Sequence, residues 1–503
     1  MSSTPVRDHA SRVRRTLPIP ESRIIRKRVL LATAAAAGRV NWKVQPLAIP
    51  PPGSGLEPVM GEFGVPWIGA AINAMTDQLR WGRRHVDKYG EISWAGLFGR
   101  RVVAAIGPDA TREVLIDRDK NYSVKGFGFL IGPFFDGGLL LRDFDDHRYH
   151  RRILQQAFTR GRLAGYLELT TPAILDGLRH WEPDPAFPLY DRGKQLLLEL
   201  ATTVFVGADL GPEADRLTRA FEDAVRGGQA IVRHDVPGGR WRRGLRGRRI
   251  LQDYFRAALP GKRAAETADL FSVLCHARSE DGDRLTDDEV IDHMIFVLMA
   301  AHDTSTNALS MMGYFLARHP QWQERLRAES VALGKDTLEY ADIAGMTGLE
   351  LVFKETLRLT APVGQELRET VRDTALCGKY IPAGTLVNVN PYLTMRSLPW
   401  NDPDRFDPER HAGEDGAANR FAFAPFGGGA HQCLGQHFAR MTVFAIMHRL
   451  LLDHSWSVAP GYTVSTSWGT GPTPDDGLPI RLERRPPTGT AEPGAAPAAV
   501  RTR

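Results

Sequence analysis

From Asp287 to Arg318 apolar side chains fall on nearly every face of the helix that the spacing predicts. The stretches Met294–Ala301 and Ala308–Leu316 are almost wholly apolar, and His302 and Asp303 interrupt them at the centre. Thr286 and Glu289 have the spacing of a capping box, and Pro320 stands just past the other end. At 1.5 Å per residue such a helix is roughly 48 Å long. A helix apolar all round must run through the middle of a large protein. The central His302-Asp303 pair argues against a membrane span. A second helix is predicted over Gln436–Leu452, with Phe438, Val443, Ile446, Leu450 and Leu451 apolar. Strand patterns are short: Val102–Ile106, and Tyr380–Asn390 around a Pro-Ala-Gly turn. The expected fold is mainly α with a small β region.

Flanking segments differ from this body. Residues 1–28 hold Arg7, Arg12, Arg14, Arg15, Arg23, Arg26, Lys27 and Arg28 against Asp8 and Glu21. The apolar run after them, Val29–Gly38, is short of the ~20 residues that a span needs. A secretory leader, a basic segment resting on anionic lipid and a flexible tail all remain open. The Pro-rich stretch Pro46–Gly61 reads as an extended segment, and the end from Pro486 is Pro/Ala/Gly/Thr-rich. No internal repeat or long linker lies between. The expected organisation is a basic leader over 1–45, one catalytic unit over 46–485 and a disordered tail over 486–503.

Composition adds bounds. Of 503 residues, 43% are hydrophobic and 24% charged, an ordinary globular balance. The net charge of +5 does not by itself argue for nucleic acid, and no such partner is expected. Three cysteines (Cys275, Cys377 and Cys433) are too few for a disulfide framework, so a cytoplasmic setting is expected. One of them can still be a reactive or metal-bound thiolate.

Cys433 has the surroundings for that role. Phe426–Gly435 reads FGGGAHQCLG and runs into the second helix. A thiol at a helix start meets free N–H groups and the positive end of the dipole, which stabilise thiolate. Glycines let backbone approach a flat ligand, and Phe426 can pack on it. A buried structural cysteine beside a glycine turn is the plain alternative. Ala300-Ala301-His302-Asp303-Thr304 marks the middle of the long helix, where an Asp-Thr pair often makes only local bonds to backbone. Glu355 and Arg358 are three apart on a helix, normally a surface pair.

Taken together, these segments resemble the cytochrome P-450 superfamily, from about Pro50 to Arg484, and look most like an actinobacterial, mycobacterial-type branch. Phe426-x-x-Gly429-x-His431-x-Cys433-x-Gly435 is similar to its haem-binding signature, with His431 where Arg is usual. The resemblance implies haem b with Cys433 as axial iron ligand, and a charge at His431 that depends on pH. It implies that Asp303 and Thr304 manage protons while Ala300 and Ala301 leave room over the haem. Ala301 stands where Gly is common. Glu355 and Arg358 of KETLR, with Arg410 of FDPER, look like the family's structural network. His147 and Arg151, with Arg368, match propionate partners; Arg148 and Arg152 are spare charges for a redox partner.

Substrate contacts are expected in a Phe- and Gly-rich loop, Gly126–Leu141, with Phe127, Phe129, Phe134 and Phe135 roofing the pocket or serving as core. Val297, Val363 and Gly364 are further candidates. The implied activity is insertion of one oxygen atom into a lipophilic sterol, fatty acid, terpene or polyketide. Electrons would come from a separate ferredoxin and its reductase. A peroxide-dependent or dioxygen-independent enzyme on this scaffold, or a haem protein that only binds a ligand, are the rivals. The basic run Arg233–Arg249 reads as a solvated loop and helix start, or as a membrane-surface or acidic-ligand contact.

Overall fold

The computed structural model describes residues 42–207, 213–228, 230, 232–397, 400–413, 420–468 and 471–486. Most of the leader and nearly all of the tail lie outside them. The long helix forms with the boundaries its pattern predicts, Asp287–Arg318. Its capping box is closed: the Thr286 amide donates to the Glu289 carboxylate at 2.8 Å, and the Glu289 amide donates to Thr286 Oγ1 at 3.3 Å. Helices Leu189–Val206, Arg240–Ala264, Thr347–Thr360 and Gln436–Asp453 surround it. That ring explains its apolar faces. Val290, Met294, Leu309, Met312 and Leu316 are all fully buried in one cluster. Among the described residues no helix is long and apolar enough to cross a membrane.

Among the described residues the β region is one seven-stranded sheet and three small ones. The order in the large sheet is Gln45–Pro46, Met60–Glu62, Ile92–Leu97, Arg100–Ala105, Leu386–Val389, Glu366–Thr370 and Tyr122–Ser123. Strand Leu386–Val389 lies parallel to Arg100–Ala105 and antiparallel to Glu366–Thr370. Early and late parts of the chain therefore share a sheet, with the helices strung between them. Trp94, Val103, Ala105, Val387 and Val389 form its core with Val114 and Leu115.

Two expectations change. Tyr380–Asn390 is not one strand folded on a turn. Lys379–Ile381 joins a separate three-stranded sheet, and Leu386–Val389 enters the large one. Gly384, at φ 72°, makes the corner, and its amide bonds Thr370 O at 2.7 Å. Gly126–Leu141 is not a loop: Lys125–Phe135 is a helix despite three glycines and Pro133. Tertiary packing overrides propensity there. Phe134 and Phe135 are buried, and the Phe134 ring meets Trp241 edge-on at 4.9 Å. They are core and do not roof a pocket. Phe127 is half-buried, and the Phe129 side chain lies outside the described residues. The basic run is partly helical, since Arg240–Ala264 begins inside it.

Candidate active site

The cysteine loop is built by its glycines. Gly427 and Gly429 take φ of 67° and 63°. A Cβ on Gly429 would stand 1.9 Å from Leu115 O, so no larger residue fits without moving the neighbouring helix end. The Cys433 amide closes the loop by donating to Phe426 O at 2.9 Å. Helix Gln436–Asp453 starts three residues later, and the backbone amides of Gly435 and Gln436 favour the ionised sulfur. One expectation is corrected here. Burial pushes the Cys433 thiol up and outweighs those amides and the Arg151 charge, so the helix start alone does not make a thiolate. Cys433 is nevertheless exposed. A residue crowded by protein and still open to solvent lies at the bottom of a hollow. Cys275 is buried, and Cys377 pairs with Glu113; burial pushes both thiols up to about 11.

The central helix is opened in one place. Ala300 is exposed and Ala301 and Thr304 are half-buried, while most of the helix is buried. Their spacing puts all three on one face. Thr304 Oγ1 donates to Ala300 O at 2.8 Å, which leaves its oxygen lone pairs able to accept. Asp303 meets His302 Nδ1 at 3.0 Å. Burial works to raise the Asp303 carboxyl, but that bond and the charges of His302, Lys194 and Arg226 outweigh it and hold it below the usual range. Asp303 lines a polar cavity of about 160 Å³ with Tyr190, Lys194, Glu222, Arg226 and Trp468. Pro362, also in its wall, precedes half-buried Val363 and buried Gly364, which packs near Trp468. Val297 is buried in the helical core.

Basic and imidazole groups gather near the cysteine loop. His147 is buried on helix Phe144–Gln155. Its ring lies 3.9 Å from that of His431. Arg368, on strand Glu366–Thr370, pairs with Glu366 at 3.1 Å. Arg151 is half-buried and has no carboxylate within ion-pair distance among the described residues; burial disfavours its charge. Burial also lowers His147 to about 4 and His431 to about 2, helped by Arg151 and Arg368. Burial and the neighbouring cations thus both disfavour a charge on His431.

Behind the loop, Glu355 is fully buried and accepts five hydrogen bonds. Arg358 Nε and Nη2 donate at 2.7 and 2.9 Å, Arg410 Nε at 3.0 Å and the Asp407 amide at 2.9 Å, while His411 Nε2 lies at 3.0 Å. Burial would raise this carboxyl, but Arg358 and His411 above all hold it at about 2. Arg358 also reaches the carbonyls of Met395, Pro403 and Arg405. Trp400 lies under both guanidinium groups, at 5.2 and 6.0 Å. Sequence reasoning missed His411, Glu366 and the His302 contact. His411 follows Arg410 in one 3-10 turn, Pro408–His411, and adjacency was its only signal.

An exposed thiol at a helix start, an opened central helix and a buried Glu-Arg-Arg network are the features the cytochrome P-450 resemblance calls for. The Cytochrome P450 family profile matches residues 248–471. The chain is 41% identical over 456 residues, 87% of its length and 91% of the other's, to putative cytochrome P450 136 of Mycobacterium tuberculosis. The chain belongs to the cytochrome P450 family, and it is a haem-thiolate monooxygenase. It is also similar to abscisic acid 8'-hydroxylase 2 of Arabidopsis thaliana, at 24% identity over 88% of this chain and 91% of the other. In structure it resembles a retinoic-acid-bound cyanobacterial CYP120A1, with TM-score 0.77, 27% identity and coverage of 84% and 98%.

The residues fit a haem. A slab placed against the opened helix face and the cysteine loop accounts for exposure at Ala300 in a mostly buried helix and at Cys433 in a half-buried loop. The uncompensated Arg151, with Arg368, His147 and His431, is a donor set for carboxylates. A metal at the sulfur removes the cost of ionising a crowded thiol.

Proposed function

We propose that this enzyme uses haem b to insert one oxygen atom from dioxygen into a lipophilic small molecule of sterol, fatty acid, terpene or polyketide type. The observation that carries the reading is the opened face of the central helix together with the exposed Cys433. When bound, the haem supplies dioxygen activation, with thiolate donation favouring O–O cleavage. Cys433 ligates the iron. His147, Arg151, Arg368 and His431 hold the propionates, and Phe426 packs near the sulfur. Gly429 and Gly435 keep the loop close, and Ala300 and Ala301 keep the distal side clear. Thr304 accepts a proton donor's hydrogen bond at Oγ1. Asp303, ionised and tied to His302, passes protons from the polar cavity. Glu355, Arg358 and Arg410, with His411, hold the loop's support rigid.

The catalytic unit is taken as 46–485, in the cytoplasm. Electrons come from a separate ferredoxin and reductase. Arg148 and Arg152 support that docking, since both lie on the outer side of the Phe144–Gln155 helix in exposed ion pairs with Asp145 and Glu280, which partners displace cheaply. For the substrate, the retinoic acid in the CYP120A1 structure supports an elongated apolar molecule. A spin-state titration of purified protein against fatty acids, sterols, terpenes and polyketides tests the class. Saturable high-spin conversion by at least one, followed by a product one oxygen heavier with ferredoxin and reductase, is expected. Turnover driven better by peroxide than by ferredoxin would overturn the reading.

A further inference from the structure

One end of the large sheet carries an exposed aromatic cluster. Strands Met60–Glu62 and Ile92–Leu97 run parallel, with Gly61 opposite Trp94. The turns after them leave at the same end, one bearing Trp67 and Ile68 and the other Phe98. Strand Gln45–Pro46 runs antiparallel to Met60–Glu62, so Trp42, Lys43 and Val44 lie at that end too. Of eleven large hydrophobic side chains exposed among the described residues, four are here: Trp67 at 85%, Phe98 at 47%, Val44 at 46% and Ile68 at 38%. Trp42 beside them is half-buried.

The cluster is held in place. The Phe98 amide donates to Ile68 O at 3.2 Å and the Ala70 amide to Gly96 O at 2.7 Å. Gly69 bridges Leu97, and a Cβ there would stand 1.9 Å from Gly96 O. Trp67 and Phe98 both sit in the left-handed region, at φ 66° and 48°. Bulky residues rarely adopt it unless the surrounding structure imposes it, and here it turns two apolar rings outward.

The rim is basic. Arg100 and Arg101, both exposed, follow Phe98, and exposed Lys43 precedes Val44. Glu369 lies 3.8 Å from Arg100, and Arg101 rests over the Trp94 ring at 5.0 Å. Ahead of this end in the chain, residues 1–28 carry eight more Arg and Lys. Two copies meeting tip to tip would set these cations against each other. An anionic bilayer satisfies both halves of the pattern: amphipathic rings favour the interfacial layer, and basic groups favour its headgroups.

We propose that this tip docks on an anionic lipid bilayer, with Trp67 and Phe98 entering the interface and Lys43, Arg100 and Arg101 facing the headgroups. The test uses the full-length haem-loaded protein and vesicles of phosphatidylcholine, alone or with phosphatidylglycerol, in co-sedimentation. Partition onto the anionic vesicles should exceed that onto neutral ones by at least about tenfold. W67S/F98S and K43Q/R100Q/R101Q should each lose at least about tenfold while keeping the parent's carbon monoxide spectrum. Equal partition onto both vesicle types overturns the proposal. So does parental binding by W67S/F98S, which would leave the leader's charge as the whole cause. If W67S/F98S does not load haem, parental binding by the K43Q/R100Q/R101Q variant overturns it alone. Self-association in sedimentation velocity that W67S/F98S abolishes, without vesicle binding by the parent, would assign the tip to a second copy instead.

Discussion

Replacing Glu355 by Gln tests the buried network most directly. The substitution keeps the shape and removes one charge. Arg358, fully buried, and Arg410 then lack their carboxylate, and an amide NH2 faces donors it cannot satisfy. Breaking one partner from a buried ion pair costs about 3–5 kcal/mol. The pKa gives an independent figure. A carboxyl held at about 2 instead of the ordinary 4.5, at about 1.4 kcal/mol per tenfold, corresponds to about 3 kcal/mol. The two agree. Because the folded pKa is depressed, this stability is fully present above about pH 4.5 and is lost as pH falls toward 2. The assay is thermal and urea unfolding of the parent and E355Q at pH 7 and pH 4, alongside the carbon monoxide spectrum. For a folded unit of roughly 430 residues the entropy of unfolding makes 4 kcal/mol equal to about 4 °C in Tm. E355Q should fall by about that much at pH 7, and the gap should narrow at pH 4. A Tm within 1 °C of the parent at pH 7 would refute the reasoning.

Cys433→Ala should abolish the thiolate-type carbon monoxide spectrum of the reduced protein; a surviving spectrum means another ligand holds the iron. Gly429→Ala should cost at least about 2 kcal/mol in urea unfolding, from the Leu115 clash and the left-handed φ. Gly435→Ala, with open space around it and no positive φ, should leave the unfolding of haem-free protein within about 0.5 kcal/mol. Equal losses for these two glycines would contradict the packing argument. Asp303→Asn should cut product formation by at least about 100-fold while leaving the substrate-induced spin shift intact. Unaltered turnover would remove Asp303 from proton delivery.

What the sequence made legible was whatever rests on local pattern. The long helix and its capping box follow from periodicity and two cap residues, so both ends were placed correctly. The Glu355–Arg358 pair was visible because helical spacing already joins it. Contacts that depend on distant chain were not visible. The helix at Lys125–Phe135 is imposed by burial of Phe134 against Trp241, more than a hundred positions away, against its glycine content. Strand Leu386–Val389 leaves its neighbour Lys379–Ile381 because its partner is Arg100–Ala105. The helix-start argument for Cys433 was sound locally, but it omitted the crowding that pushes the thiol the other way. A pH-dependent charge was expected at His431, and only the fold brings His147 and two arginines against it.

The Glu355 clasp is short in chain terms. Its farthest members, Glu355 and His411, are 56 positions apart, and Cys433 comes after all of them. During synthesis the whole clasp leaves the ribosome before the iron ligand does, so folding can lock the platform first. A chain stalled between 411 and 433 would hold every member of the clasp, yet it would lack both the iron ligand and the Gln436–Asp453 helix that completes the core around the central one.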